Sequence, residues 1–241
     1  MQNEFLITKI LPRKNKLIRP FVTNVTQIFI LVTSIPEPDL ALIDKLIINA
    51  KQNNITPILL VNKCDLGLEL YNQILVEYKK ADIEIINIST KENINTDKVK
   101  EKLKNNITVL AGQSATGKTS LLNLICGTTN KVNSVSEKNL RGKNTTTNAE
   151  LIVLSNNSFL LDTAGFSRLE LGELDPNLIK SYYAEFSGLN CKYKDCNHIN
   201  EGSSCEILSD LENAIKIHPN RYNRYKQIYL ESLDFWRKRY D

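Results

Sequence analysis

Eight consecutive residues, Gly112-Gln113-Ser114-Ala115-Thr116-Gly117-Lys118-Thr119, carry the spacing G-x-x-x-x-G-K-[ST]. Such a loop wraps phosphates with backbone N–H groups and the start of a helix. Lys118 then reaches the β- and γ-phosphates, and the Thr119 hydroxyl is placed to ligate Mg²⁺. A second segment, Asn62-Lys63-Cys64-Asp65, ends in a carboxylate that can accept from both N1–H and N2–H₂ of guanine, a pair that adenine does not offer. A third, Asp162-Thr163-Ala164-Gly165, offers an Asp that can hold Mg²⁺ through water and a Gly N–H that can face a γ-phosphate. One hydroxyl of Thr145-Thr146-Thr147 can complete the Mg²⁺ shell, with Thr146, the middle of the three, preferred.

A separate constellation lies near the C-terminus. Cys191, Cys196, His198 and Cys205 give the spacing Cys-x₄-Cys-x-His-x₆-Cys, three thiolates and one imidazole, a tetrahedral zinc set with every position supplied by protein. That points to one structural zinc per chain. The spacing differs from that of the two-Cys, two-His DNA-binding finger.

The elements that must position these groups follow from periodicity. Gln27–Thr33, Thr56–Val61, Ile83–Ile88 and Ile107–Ala111 read as buried strands. They alternate with helical stretches that follow Pro36 and Pro38 and span Leu68–Lys79, Thr96–Lys104 and Lys118–Ile125. The order predicts an α/β fold, a mostly parallel sheet with helices on both faces. Residues 130–147 read as a polar mobile loop. Glu150–Leu154 and Phe159–Leu161 read as strands joined at Ser155-Asn156-Asn157-Ser158. Beyond Pro176 only helices are expected, at Pro176–Phe186, Cys205–Ile217 and Asn220–Arg239. Three parts are expected: a linker over 1–24, a nucleotide domain over 25–172 and a helical zinc-binding domain over 173–241.

Composition agrees. The chain has 241 residues, 41% hydrophobic and 24% charged, with a net charge of +4. That suits folded domains rather than disorder. The apolar runs are too short to cross a bilayer, and no signal peptide is visible, so a monomeric cytoplasmic protein without membrane contact is expected. The mild positive charge permits a nucleic-acid partner. Arg13, Lys14, Lys16 and Arg19 form one basic cluster; Arg221, Tyr222, Arg224, Tyr225, Lys226 and Tyr229 form another. The second has aromatics interleaved, and such pairs of basic and aromatic residues can combine phosphate attraction with base stacking. The second can equally be a helix whose tyrosines pack on the zinc domain.

Chain order separates this sequence from ordinary GTP-binding switches, because Asn62–Asp65 precedes Gly112–Thr119. The same sheet is reached if the chain is circularly permuted. With Ile10-Leu11-Pro12-Arg13-Lys14-Asn15, Arg19-Pro20, Arg141-Gly142-Lys143-Asn144-Thr145-Thr146-Thr147 and the Cys/His cluster, the set resembles the circularly permuted GTPases of small-subunit ribosome biogenesis, the RsgA family. The resemblance implies a circularly permuted P-loop GTPase domain and a small C-terminal helical zinc-binding domain. It also implies GTP hydrolysis to GDP, linked to late maturation of the small ribosomal subunit and its rRNA. Ser89 and Thr90 fall where the family has a Ser-Ala loop that contacts the base. The family's OB barrel needs some sixty residues ahead of the Leu-Pro-Arg segment. Ten stand here, so residues 1–24 are expected to be a linker and barrel remnant.

Several positions depart from the family pattern. Ala115 stands where Gly is usual, Thr90 replaces Ala, and the gap from His198 to Cys205 is one residue longer. Asn144 replaces the His taken as catalytic, and Phe166 follows the D-x-x-G segment, where many GTPases carry Gln. Lys118, Thr146, Asn144 and Gly165 are therefore the expected catalytic set, with Asn144 able to orient water but not to accept its proton. The alternative is a GTP-responsive assembly factor with negligible intrinsic hydrolysis.

Overall fold

A computed structural model describes residues 8–10, 12–17, 20–128, 150–155, 157–162, 169, 171, 174–199 and 204–239. Its centre is a six-stranded sheet in the order β5-β4-β3-β6-β8-β7, formed by β3 (Gln27–Val32), β4 (Thr56–Val61), β5 (Glu84–Asn87), β6 (Ile107–Gly112), β7 (Glu150–Ser155) and β8 (Ser158–Asp162). All neighbours are parallel except β7 and β8, which are antiparallel, with Ser155 paired to Ser158. A two-stranded hairpin, β1 (Lys16–Leu17) and β2 (Val22–Thr23), precedes the sheet. The strand runs read from periodicity hold to within a residue or two; this short hairpin had no periodicity to betray it. The loop expected over 130–147 lies outside the described residues.

The central strand β3 is buried on both sides, and its alternation divides the core. Ile28, Ile30 and Val32 face one cluster, closed by α1 (Leu40–Gln52) and α2 (Glu69–Glu77); Phe29 and Leu31 face another, closed by α3 (Thr96–Leu103) and α4 (Lys118–Thr128). From β3 the chain runs outward to β4 and β5, whereas from β6 it runs the other way to β8. The reversal between β3 and β6 opens a crevice at their C-terminal ends, the usual ligand position in such sheets.

The C-terminal region is helical but less regular than its sequence suggests. Pro176–Tyr182 and Ala184–Phe186 are 3₁₀ turns, and in 205–217 only Glu206–Asp210 (α5) is α-helical, the remainder being turns and bends. The long helix α6 (Pro219–Arg237) buries Arg221, Tyr222, Tyr225, Ile228 and Tyr229 along one face. Tyr222, Tyr225 and Ile228 join a third apolar cluster that also takes in Ile48 of α1. Helix α1 is thus covered twice, by the sheet and by α6. Among the described residues no helix is long and apolar enough to cross a membrane.

Between α1 and α6 lies a buried ionic cluster. Asp44 accepts from Tyr78 Oη at 2.6 Å, Arg221 Nη1 at 2.5 Å and Arg224 Nε at 2.8 Å. Arg221 Nε donates to Glu185, and Arg224 Nη1 donates to Glu77 at 2.7 Å. The Arg221 guanidinium, 1% exposed, is packed between the rings of Tyr78 and Tyr183, 4.3 and 4.7 Å from their centroids. The second basic cluster of the sequence is therefore not an RNA surface. Arg221, Tyr222, Tyr225 and Tyr229 are buried, Arg224 is ion-paired, and Lys226 is the one member of the set that is exposed.

Removing one member of such a cluster strands a charge in the interior. Arg221→Met is expected to lower unfolding free energy by about 3–5 kcal/mol, measured by urea denaturation. Combining it with Asp44→Asn and Glu185→Gln should recover part of that loss. A loss below about 1 kcal/mol in the single variant would show that the cluster is not what seats α6 on α1.

Candidate functional site

Three segments distant in sequence meet at the C-terminal ends of β4, β5 and β6. Asn62, 2% exposed, uses both ends of its carboxamide: Nδ2 donates to Thr116 O at 2.9 Å, and Oδ1 accepts from Thr90 N at 3.2 Å. Lys63 adopts a left-handed φ of 63°, and its Nζ donates to Ala115 O at 3.1 Å and Ile35 O at 2.6 Å. The carboxylate of Asp65 accepts from Ser89 Oγ at 2.5 Å, and Ser89 Oγ accepts in turn from Glu92 N at 3.1 Å. The Ser89 hydroxyl, with the ammonium groups of Lys91 and Lys63 nearby, holds the Asp65 carboxyl below the usual carboxylate range. That favours the charged, acceptor-only form.

The loop Gly112–Thr119 leaves β6 and opens α4. Gly117, at φ +96°, lies so near Asn62 that a Cβ there would fall 2.2 Å from Nδ2. Lys118 folds back over the loop, donating to Gly112 O at 2.9 Å and Gln113 O at 2.5 Å. Burial pushes its ammonium down to about 8, against the opposing pull of Asp162. A buried ammonium facing backbone carbonyls is ready to exchange them for a polyanion, whose charge would raise its pKa again. Asp162, the last residue of β8, stands within that electrostatic reach. Asn144, Thr146 and Gly165, together with Thr145, Thr147 and Phe166, lie outside the described residues.

One contact at this end was not legible from spacing. Gln113 Oε1 accepts from Asp39 N at 2.9 Å, and Gln113 Nε2 donates to Glu37 O at 3.4 Å. Asp39 is also the N-cap of α1, its Oδ1 accepting from Leu42 N at 2.9 Å. The phosphate loop is thereby tied to the start of α1. Pro36 and Pro38 did signal a helix start, but the partner of Asp39 at that start is 74 residues away.

The four C-terminal ligand candidates converge. Their ligand atoms all lie within 4.8 Å of one another. His198 Nδ1 is 3.6 Å from Cys191 Sγ, 3.5 Å from Cys196 Sγ and 3.4 Å from Cys205 Sγ. Tetrahedral bonds of ordinary Zn–S and Zn–N length put N and S about 3.6 Å apart. Burial pushes the His198 imidazole down to about 4, with Lys180 adding to the effect, so the ring is held neutral, the ligating form. Burial likewise pushes the Cys205 thiol up to about 11, a cost that a cation at this point removes. The cluster could hold a metal ion. Helix α6 supports it from behind: Tyr222 Oη donates to His198 O at 2.8 Å, Tyr225 Oη donates to Asn197 O at 2.5 Å, and Asn197 Nδ2 donates to Tyr229 Oη at 2.6 Å.

Comparison with known proteins agrees with this geometry. Residues 10–172 match the family model described as RsgA GTPase. The chain is 41% identical over 227 residues to the small ribosomal subunit biogenesis GTPase RsgA of Ruminiclostridium cellulolyticum, covering 92% of this chain and 74% of that protein. With the protein of the same name from Clostridium acetobutylicum it shares 42% identity over 226 residues, 91% of this chain and 77% of the other. Among solved structures, YjeQ from Thermotoga maritima superposes with a TM-score of 0.78 at 33% identity, covering 93% of this chain and 77% of that one. YloQ, titled a circularly permuted GTPase, gives 0.73 at 25% identity, with 94% and 74% covered.

Ala115 holds a left-handed φ of 62° in the phosphate loop, a conformation that costs a residue with a Cβ roughly 1–2 kcal/mol. Glycine avoids that cost but gives up more freedom on folding. Ala115→Gly is therefore expected to stabilise the protein by up to about 1 kcal/mol, read from the urea midpoint. An unchanged or lower midpoint would mean that the Ala115 methyl makes a compensating contact.

Proposed function

The chain belongs to the RsgA GTPase family and is a GTPase of circularly permuted fold, and from that premise we propose that it acts in late maturation of the small ribosomal subunit, with hydrolysis stimulated by that particle. The proposal extends to the division of labour along the chain. Residues 25–172 form the nucleotide unit, 173–241 the metal unit, and 1–24 a linker. Guanine is read by Asp65, with Asn62, Lys63, Ser89 and Thr90 shaping its site, and the phosphates lie on Gly112–Thr119. The observation that carries this reading is the Asn62 carboxamide, which joins the phosphate loop at Thr116 to the base loop at Thr90. One pocket then addresses both ends of a guanine nucleotide.

Thr119, Thr146 and Asp162 are the proposed Mg²⁺ ligands. The ion would supply charge neutralisation on the β- and γ-phosphates. Lys118 contributes a second positive charge there. Gly165 N–H and Asn144 complete the site, Asn144 orienting the attacking water. The metal held by Cys191, Cys196, His198 and Cys205 is proposed to be zinc. The three-thiolate, one-imidazole donor set supports zinc, and four protein donors leave it structural rather than catalytic.

Single-turnover GTP hydrolysis, with and without small ribosomal subunits, tests the proposal. Slow intrinsic turnover is expected, accelerated by the subunits. Its pH dependence should be weak between about pH 6 and 8, since no imidazole titrates at the site and bound phosphates raise the Lys118 ammonium above that range. Asn144→His should raise the rate. A rate indifferent to both Asn144→His and Asn144→Ala would remove Asn144 from the mechanism. A rate indifferent to subunits would remove the ribosomal stimulus and favour a nucleotide-responsive binding factor.

Base choice has its own check. Asp65→Asn is expected to weaken GTP binding about tenfold or more and to favour xanthine nucleotides, whose 2-position carries oxygen in place of the amine. Equal competition by ATP and GTP for the unaltered protein would overturn the assignment of Asp65.

A further inference from the structure

We propose that the β1–β2 hairpin is a second binding site, for an unpaired stretch of RNA, with a base stacked on Phe21 and the backbone phosphates on Arg13, Lys14 and Lys16. The proposal rests on the ribosomal reading above and adds to it a surface, a ligand class and a residue that spacing alone did not single out.

The charge pattern comes first. From Phe5 to Pro36 the chain carries five basic residues and no Asp or Glu, more positive charge than the +4 net of the whole protein. Lys14 and Lys16 are exposed, as is Arg13, and none of the three forms an ion pair with a described residue. Uncompensated cations gathered on one short element suit a polyanion.

Phe21 gives the polyanion its identity. The hairpin buries Leu17 of β1 and Val22 of β2 in the core and leaves Phe21, in the turn just ahead of β2, 73% exposed, with Lys16 Nζ 5.4 Å from the ring centroid. A lone exposed ring beside cations is too small an apolar patch for a membrane or a large protein interface, but it matches the face of one unstacked base. The platform is also held firmly. Asn15 Oδ1 accepts from Val25 N at 3.0 Å, Asn15 Nδ2 donates to Val25 O at 2.7 Å, and Asn24 Oδ1 accepts from Lys14 N at 2.8 Å. Thr26 N donates to Ile107 O at 2.9 Å, which anchors the hairpin at the N-terminal ends of β3 and β6. The nucleotide crevice lies at the opposite ends of those six-residue strands, about 20 Å away. RNA on the hairpin therefore leaves the GTP site open.

The test is fluorescence anisotropy of the full chain with a labelled oligouridylate of roughly 12 nucleotides, a length that spans such a site, across a salt series, with GTP affinity as the check on folding. Phe21→Ala should weaken RNA binding about tenfold, Phe21→Trp should retain it, and neither should change GTP affinity. If three phosphates are neutralised, log K should fall with log salt at a slope near about −2, and Lys16→Gln should flatten it by about 0.7. Equal binding by the unaltered protein and Phe21→Ala overturns the proposal, as does failure of the unaltered protein to bind the oligomer. Co-sedimentation with small subunits separates this from the function itself. Pelleting that is insensitive to Phe21→Ala keeps the ribosomal role and removes the hairpin from it. Pelleting that needs Phe21 while oligomer binding does not makes the hairpin a protein contact and overturns the RNA assignment. No pelleting of the unaltered protein, with Phe21-dependent oligomer binding intact, overturns the ribosomal reading alone.

Discussion

The proposed nucleotide site depends on one buried amide. Asn62 sits at the end of β4 with the Gly112–Thr119 loop on one side and the Ser89–Thr90 loop on the other, and bonds to both. Those loops follow different strands and have no covalent reason to keep a fixed separation. A buried carboxamide left with either end unpaired is costly, so the two loops are held at the distance that satisfies both ends. Gly117 is part of the same constraint, because any side chain there would collide with Asn62 Nδ2. Circular permutation leaves this joint unaffected, since it depends on where strands end in space and not on their order along the chain.

A second constraint acts through α1. Its N-cap residue is bonded to Gln113 of the phosphate loop, and its middle carries Asp44, which receives Arg221 and Arg224 from α6. Helix α6 in turn presents Tyr222 and Tyr225 to the backbone of the metal-ligand loop. The nucleotide crevice and the Cys/His cluster are therefore joined by bonded groups on two helices. Because the charges between α1 and α6 are buried, a partial separation would expose unpaired charge to apolar surroundings. The docked arrangement is strongly preferred to any slightly displaced one.

The tyrosines and arginines of α6 show how one composition serves two purposes. Basic and aromatic residues interleaved on a helix suit RNA, and they suit a core that must hold a polar loop in place. Burial decides for the second: the Tyr225 ring packs edge-on against Phe186, whose ring in turn lies on His198, and the hydroxyls of Tyr222 and Tyr225 satisfy loop carbonyls, while the arginines neutralise Asp44, Glu77 and Glu185. On the β1–β2 hairpin the same residue types face outward.

Much of the site was legible in the sequence because its chemistry is local. A phosphate loop needs its glycines and lysine within eight residues, and a metal needs donors on a short tether, so Gly112–Thr119 and Cys191–Cys205 announce themselves by spacing. Buried strands were equally plain, since β3, β4 and β6 are runs of β-branched and aliphatic residues. Other features had no local trace. Asp44 is a charge among the apolar residues of α1, and nothing local indicates that its arginine partners lie about 180 residues on. The bond from Gln113 to the start of α1, the pairing of Ser89 with Asp65, and the burial of Arg221 arise from distant segments brought together. So did the choice between the two basic clusters, because exposure belongs to the packed chain: sequence sets which groups are available, and packing determines which of them meet water.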